Sequence, residues 1–135
     1  MTEDSHFQQL LSIAATQAQP HRLLFVFAAA ELPDHPTEAQ REAFAAGRGG
    51  ALAPRMCVDK GVGELKDFAG LAAESKTAGP PWQVVFAAAL PGLNGLAPTK
   101  AEIDAALKTM VETLRVGGVD KYAAFDQDGE PLRLR

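Results

Sequence analysis

The sequence contains a single cysteine, Cys57, among 135 residues. One cysteine excludes an internal disulfide and a cysteine-rich metal site. Cys57 lies between Met56 and Val58 in an apolar stretch, so we expect a small buried side chain rather than a nucleophile. Because the chain also lacks a recognisable catalytic motif, we expect no metal site, no cofactor and no catalytic residue.

Basic residues are also scarce. The chain has 13 lysines and arginines against 17 aspartates and glutamates, which gives a formal net charge of −4. A protein that binds nucleic acid by neutralising phosphates needs a basic face. The basic residues of this chain are scattered along it, so we do not expect a nucleic-acid partner.

Long hydrophobic runs are missing as well. The most apolar run, from Leu23 to Leu32, has ten residues, and a membrane-spanning helix needs roughly 20. The first residues, MTEDSHFQQ, are acidic and polar, unlike the basic start of a signal peptide. We therefore expect a bacterial cytoplasmic protein that does not associate with a membrane.

What is present is ordinary globular composition, with 47% hydrophobic and 22% charged residues. A chain of this length buries a core without disulfides or metals, and it is close to the commonest domain size. The sequence therefore predicts one domain over residues 1–135.

One short motif occurs twice, as VFAAAELP at Val26–Pro33 and VFAAALP at Val85–Pro91. Each copy belongs to a continuous apolar run, which is typical of a strand buried on both faces. The repetition has two explanations. Either the chain holds two equivalent β-α-β-like units, or buried strands and capped helices are simply built from few residue types.

Each copy is followed by a helix-capping pattern. Thr37-Glu38-Ala39-Gln40 and Thr99-Lys100-Ala101-Glu102 both match the capping box that opens a helix. The helix after Thr99 has the clearest helical periodicity in the chain, carried by Ile103, Ala106, Leu107, Met110, Val111 and Leu114.

Two further helices are predicted, from Ser5 to Ala18 and from about Glu64 to Lys76. Ser5 and Gln8 form a possible capping box for the first of these helices. The second places four apolar residues inward: Leu65, Phe68, Ala69 and Ala72.

The other strands carry positional signals. Pro54 lies in the predicted strand from Ala51 to Val58, and proline favours an edge strand or a bulge. The C-terminal DKYAAFDQDGEPLRLR predicts a hairpin around Asp126–Gly129. The same four residues resemble the start of a calcium loop, but the pattern is not completed.

The fold prediction is a single α/β domain. We expect a mixed four- to five-stranded sheet with helices packed on it, two β-α-β-like units and a C-terminal hairpin at an edge. With parallel connections, both Leu-Pro loops emerge at one carboxyl edge, where open α/β folds bind ligands.

Five polar residues near these loops are candidate ligand-binding residues: Glu31, His35, Asn94, Thr99 and Lys100. Glu31 and His35, with Asp34, follow the first central strand and suit metal binding, acid–base chemistry or a plain polar turn.

The other three candidates lie in the loop PGLNGLAPTK. This loop combines glycines, a helix N-terminus and a lysine, which favour anions. It lacks the G-x-x-x-x-G-K-[ST] pattern of a phosphate-binding loop. A plain connecting loop therefore remains the alternative.

Three runs, RLLFVFAAAELP, GGALAPRMCVDK and GPPWQVVFAAALPG, resemble a small family of uncharacterised proteobacterial proteins. Members of that family often carry the label "ribonucleotide reductase subunit alpha". The resemblance spans almost the whole chain and implies no particular functional residue. The catalytic subunit of such an enzyme needs a radical cysteine and a reducing cysteine pair, and this chain has only Cys57. A regulatory association stays open.

Together these features favour a non-enzymatic binding or protein-interaction module, a monomer or weak homodimer with a protein partner. Trp82 and Tyr122 are anchors for that partner or members of the core, and we favour the core. The alternative is a small-ligand or anion-binding protein, enzymatic or not, with its site at the carboxyl edge of the two central strands.

Overall fold

The computed structural model describes residues 6–15, 20–32, 35–46, 51–65 and 67–133. The predicted cap at Ser5 and the residues Pro33 and Asp34 lie outside these ranges. The helices are α1 (His6–Ala15), α2 (Glu38–Ala45), α3 (Phe68–Ala78) and α4 (Lys100–Arg115), with a short 3₁₀ helix at Val62–Glu64. The strands are β1 (His21–Glu31), β2 (Ala51–Gly61), β3 (Val84–Pro91), β4 (Ala123–Phe125) and β5 (Pro131–Leu132).

The five strands form one sheet in the order β2-β1-β3-β4-β5. The predicted α/β fold with its five-stranded sheet and C-terminal hairpin is confirmed. The sheet is antiparallel at every pairing, however, and not mixed. In particular, β1 and β3 run in opposite directions, with His21 paired to Pro91 and Ala28 to Val84.

Strand β1 is buried on both faces, as its continuous apolar run predicts. Alternate residues point to opposite sides of a strand. Phe25 and its neighbours at positions 23 and 27 face one layer of helices. Val26 and its neighbours at positions 24 and 28 face the other. The sheet is therefore covered by helices on both sides.

The first face is covered by α1 and α3 and is rich in aromatic side chains. Phe7 of α1 makes edge contacts with Phe68 and Phe125, with ring centroids 5.1 and 5.3 Å apart. Trp82 is only 3% exposed, and its indole N–H donates to the hydroxyl of Ser75 at 2.7 Å. The prediction that Trp82 belongs to the core is confirmed.

Helix α3 begins later than predicted. The carboxylate of Asp67 accepts from the backbone N–H of Gly70 and caps the helix. Phe68 and Ala72 are buried as expected, but Ala69 is exposed because it lies on the outer side of the helix. A start at Phe68 also leaves Leu65 before the helix, where it is still buried.

The second face is covered by α4, which lies over β1 and β2. Its buried residues are Ile103, Leu107, Met110 and Leu114, as the periodicity predicts. The predicted capping box is present: Thr99 N–H donates to the Glu102 carboxylate, and Glu102 N–H donates to the Thr99 hydroxyl. Tyr122 is half-buried against this cluster.

Helix α2 is different. Its predicted capping box between Thr37 and Gln40 is present, yet α2 has no buried residue. Its start is therefore fixed locally, without the support of a packed face.

The two edge strands match their sequence signals. β2 is an edge strand, and its register with β1 shifts between Phe27 and Ala28, which pair with Met56 and Pro54. Arg55 is thus the extra residue of a bulge beside Pro54. At the other edge, the Asp126 carboxylate accepts from the N–H groups of Asp128 and Glu130 and stabilises the β4–β5 turn.

Candidate functional site

The five predicted ligand-binding residues lie at opposite ends of the sheet. Glu31 ends β1, and Pro91 ends β3 beside His21, the first residue of β1. Since β1 has 11 residues, its ends are roughly 30 Å apart. Glu31 and the exposed His35 lie at one end, and Asn94, Thr99 and Lys100 lie at the other. The two central strands therefore share no carboxyl edge, and the expected convergence of these residues does not occur.

The loop after β3 contains a small hairpin, where the sequence predicts an anion-binding loop or a plain connecting loop. Leu93 and Leu96 exchange both backbone hydrogen bonds, at 2.9 and 3.0 Å. Between them, Asn94 and Gly95 have φ values of 53° and 76°, as in a type I′ turn. The signal was the Asn-Gly pair between two apolar residues. The turn conformation accounts for asparagine at position 94.

The hairpin is anchored at its base. Gly92 N–H donates to the carbonyl oxygen of Pro20 at 2.6 Å. A Cβ atom at Gly92 would overlap the carbonyl oxygen of Leu96. Glycine at position 92 therefore allows the close approach that fixes the hairpin against the start of β1.

Two apolar side chains project from this hairpin. Leu93 is 71% exposed and Leu96 is 72% exposed. Directly opposed residues of an antiparallel pair have neighbouring side chains on one face. We call residues 93–96 the leucine hairpin. An exposed apolar pair on a fixed turn is suited to contact another macromolecule.

Thr99 and Lys100 follow this hairpin at the start of α4. Thr99 uses its hydroxyl and its N–H in the capping box. The hydrogen bond from Thr99 N–H lowers the pKa of the Glu102 carboxyl. A carboxylate already occupies this helix end, so it competes there with any phosphate group.

The opposite end of the sheet contains a cleft beside Glu31. The cleft has a volume of about 400 Å³ and six lining residues: Glu31, Leu52, Ala53, Pro54, Arg55 and Arg115. We call it the arginine cleft. Arg55 Nη2 donates to Glu31 Oε2 at 3.0 Å, and both side chains are about half exposed.

Three structural elements build the arginine cleft. The bulge beside Pro54 supplies Arg55, since bulges redirect side chains at sheet edges. The last turn of α4 supplies Arg115. Glu31, the residue that distinguishes VFAAAELP from VFAAALP, ends β1 at this point. The cleft thus contains one predicted site residue and two arginines that sequence patterns did not indicate.

A network of ion pairs connects the other end of β2 to its neighbours. Arg22 donates to Asp59 at 2.6 Å and to Glu64 at 2.9 Å, and Lys60 contacts Glu74 at 2.5 Å. The hydrogen bond to Asp59 raises the pKa of Arg22. The Gly61 N–H, and then Arg22, lower the pKa of Glu64. These pairs join β1, β2, the 3₁₀ helix and α3.

Cys57 is exposed, so the prediction of a buried thiol is wrong. Met56 and Val58 pack against the cluster on the α3 side. Because side chains alternate along a strand, Cys57 faces the opposite side. Its partner in the β1–β2 register is Val26. Because β2 is an edge strand, the Cys57 side chain remains accessible to solvent.

Within the described residues, no three His, Cys, Asp or Glu side chains are placed to hold a metal ion. None of the helices in that part of the chain has the length and apolar character to cross a membrane.

Comparisons with protein-family models, with curated proteins and with solved structures found no match to this chain. Function is therefore inferred from the residues of the two ends of the sheet.

Proposed function

We propose that the protein is a non-enzymatic interaction module that inserts the leucine hairpin into an apolar pocket of a partner protein. The observation that carries this proposal is the exposure of Leu93 and Leu96, each above 70%, on a hydrogen-bonded turn.

The turn geometry lowers the cost of binding. A loop that already has its bound conformation loses little conformational entropy when it docks. The type I′ turn and the contact between Gly92 and Pro20 provide this preorganisation. Burying a leucine side chain stabilises a complex by about 1.5–3 kcal/mol. Two leucines therefore suit a small, reversible interface.

The sheet edges are less suited to a partner than the leucine hairpin. β2 carries a bulge, Pro54 and the charged Arg55, and β5 has two residues including Pro131. Bulges, prolines, charges and short length all hinder the addition of another strand. The leucine hairpin is proposed to dock through its two side chains and not by adding a strand, so these obstacles do not apply to it.

The test is affinity capture from a native cell lysate with three forms of the protein. These are the wild type, a double variant with Leu93→Ser and Leu96→Ser, and the control variant Val116→Ser. Val116 is 85% exposed after the far end of α4, so the control removes a comparable apolar side chain elsewhere. We expect the wild type and the control to capture the same partner and the double variant to lose it.

Two results would contradict the proposal. One is a set of captured proteins that is identical for all three forms. The other is a wild-type dimer in light scattering that is lost in the double variant and kept in the control. The leucine hairpin would then dock on a second copy of this chain and not on a different protein. Circular dichroism and urea unfolding check that the double variant remains folded.

A further inference from the structure

The arginine cleft has the size and the charge of a small-molecule site. Its volume of about 400 Å³ falls within the range of ligand pockets, roughly 300–1,000 Å³. Leu52, Ala53 and Pro54 provide an apolar side, and Arg55 and Arg115 provide two guanidinium groups. Guanidinium groups match the planar oxygen pairs of carboxylates and phosphates.

The charges in the cleft are only partly compensated. Among the residues described in the structure, Arg115 has no ion-pair partner. Arg55 contacts Glu31 through one nitrogen, and the pair is half exposed. An exposed ion pair contributes little stability and opens readily. Two arginines thus line a cleft that holds one carboxylate, and an incoming anion can replace that carboxylate at Arg55.

The end of α4 sets a requirement on the ligand. The last turn of a helix carries partial negative charge, which a basic residue there balances. Arg115 alone is therefore a weak anion site, and a doubly charged ligand gains most by contacting Arg55 as well.

We propose that the arginine cleft binds a small dianion, a phosphate or a dicarboxylate, between Arg55 and Arg115. In this site Glu31 is a competitor for Arg55. The site is independent of the leucine hairpin, which lies at the opposite end of the sheet.

The test is an NMR titration of isotope-labelled protein with inorganic phosphate and, separately, with succinate, at constant ionic strength. The amide signals of Leu52, Ala53, Arg55 and Arg115 report on the cleft. We expect a saturable shift at millimolar concentration, and the anion that binds more tightly identifies the ligand class. Arg115→Gln should weaken binding about tenfold, because it removes a charge-assisted hydrogen bond.

Two matched variants make the result specific. Glu31→Gln removes the competing carboxylate and should tighten binding several-fold. Arg133→Gln removes the same charge as Arg115→Gln but follows β5, at the opposite sheet edge, and should leave binding unchanged. Preserved signal dispersion shows that each variant is folded.

Three results would overturn the proposal. The first is the absence of a saturable shift with either anion in wild-type protein. The second is equal weakening by Arg115→Gln and Arg133→Gln, which indicates a general charge effect. The third is unchanged or weaker binding in Glu31→Gln, which contradicts the competition for Arg55.

Discussion

The unit β1–α2–β2 and the unit β3–α4–β4 begin with nearly the same sequence and pack differently. Each has an apolar strand, with six buried residues in β1 and four in β3, and a helix opened by a threonine capping box. Yet α4 buries four residues and α2 buries none. α4 has sixteen residues with apolar side chains at helical spacing, and α2 has eight with Phe44 as its one large apolar residue. A cap therefore fixes where a helix begins, and the apolar face decides whether it joins the core.

The two units also build different surfaces at opposite ends of the sheet. The second unit inserts the leucine hairpin between its strand and its helix. The first unit has Glu31 at the end of its strand, and Glu31 pairs with Arg55 in the arginine cleft. Small differences between similar units thus separate a proposed protein-docking end from a proposed anion-binding end.

The largest expected difference between the units is in side-chain burial. Met110 of α4 is 2% exposed, and truncation of a buried methionine costs about 2–5 kcal/mol. Met110→Ala should reduce the free energy of unfolding by that amount. Phe44→Ala in α2 should reduce it by less than about 1 kcal/mol, as for other partly exposed sites. Urea unfolding of both variants measures the contrast, and equal losses would show that α2 is part of the core.

A smaller difference is expected for the two capping threonines. Thr99→Ala should lower the free energy of unfolding by about 1 kcal/mol, since it removes the cap of a packed helix. Thr37→Ala removes the same kind of cap from α2, which opens locally without unfolding the sheet. Its effect on global urea unfolding should be close to zero. A loss as large as that of Thr99→Ala would break the distinction between the helices.

The smallest expected effect concerns pH. The pKa of Glu102 is lowered below its ordinary value of 4.5 in the folded protein. Its charged form therefore stabilises the fold above that value, and this contribution is lost as the pH falls through the lowered pKa. The stability difference between wild type and Glu102→Gln should shrink in acid. Thermal unfolding of both proteins, from neutral pH down to below the lowered pKa, measures this stability difference. A difference that grows in acid would contradict the prediction. The capping box of α2 has Gln40 at the same place and should show no such dependence.

Local signals in the sequence predicted local structure well. Both threonine capping boxes, the edge position of β2 from Pro54 and the C-terminal turn at Asp126 are confirmed. Each of these depends on a few neighbouring residues. The burial of β1 on both faces followed from its continuous apolar run.

Features that depend on distant residues were not predictable in the same way. The direction of β3 against β1 is not encoded in either VFAAA segment, so the expected shared carboxyl edge was wrong. Cys57 was expected to be buried because its neighbours Met56 and Val58 are apolar, although alternation places it on the other face. The meeting of Arg55 and Arg115 requires the full topology. The Asn94-Gly95 turn is the exception, because an Asn-Gly pair between two apolar residues is a local signal for a tight hairpin.

Native-state hydrogen exchange tests the contrast between the two units most directly. We expect the amides of Leu107 and Met110 in α4 to exchange only when the whole protein unfolds. The amides of Glu42 and Phe44 in α2 should exchange through local opening that urea hardly affects. Equal protection of the two helices, with the same response to urea, would contradict the conclusion that α4 is built into the core and α2 is not.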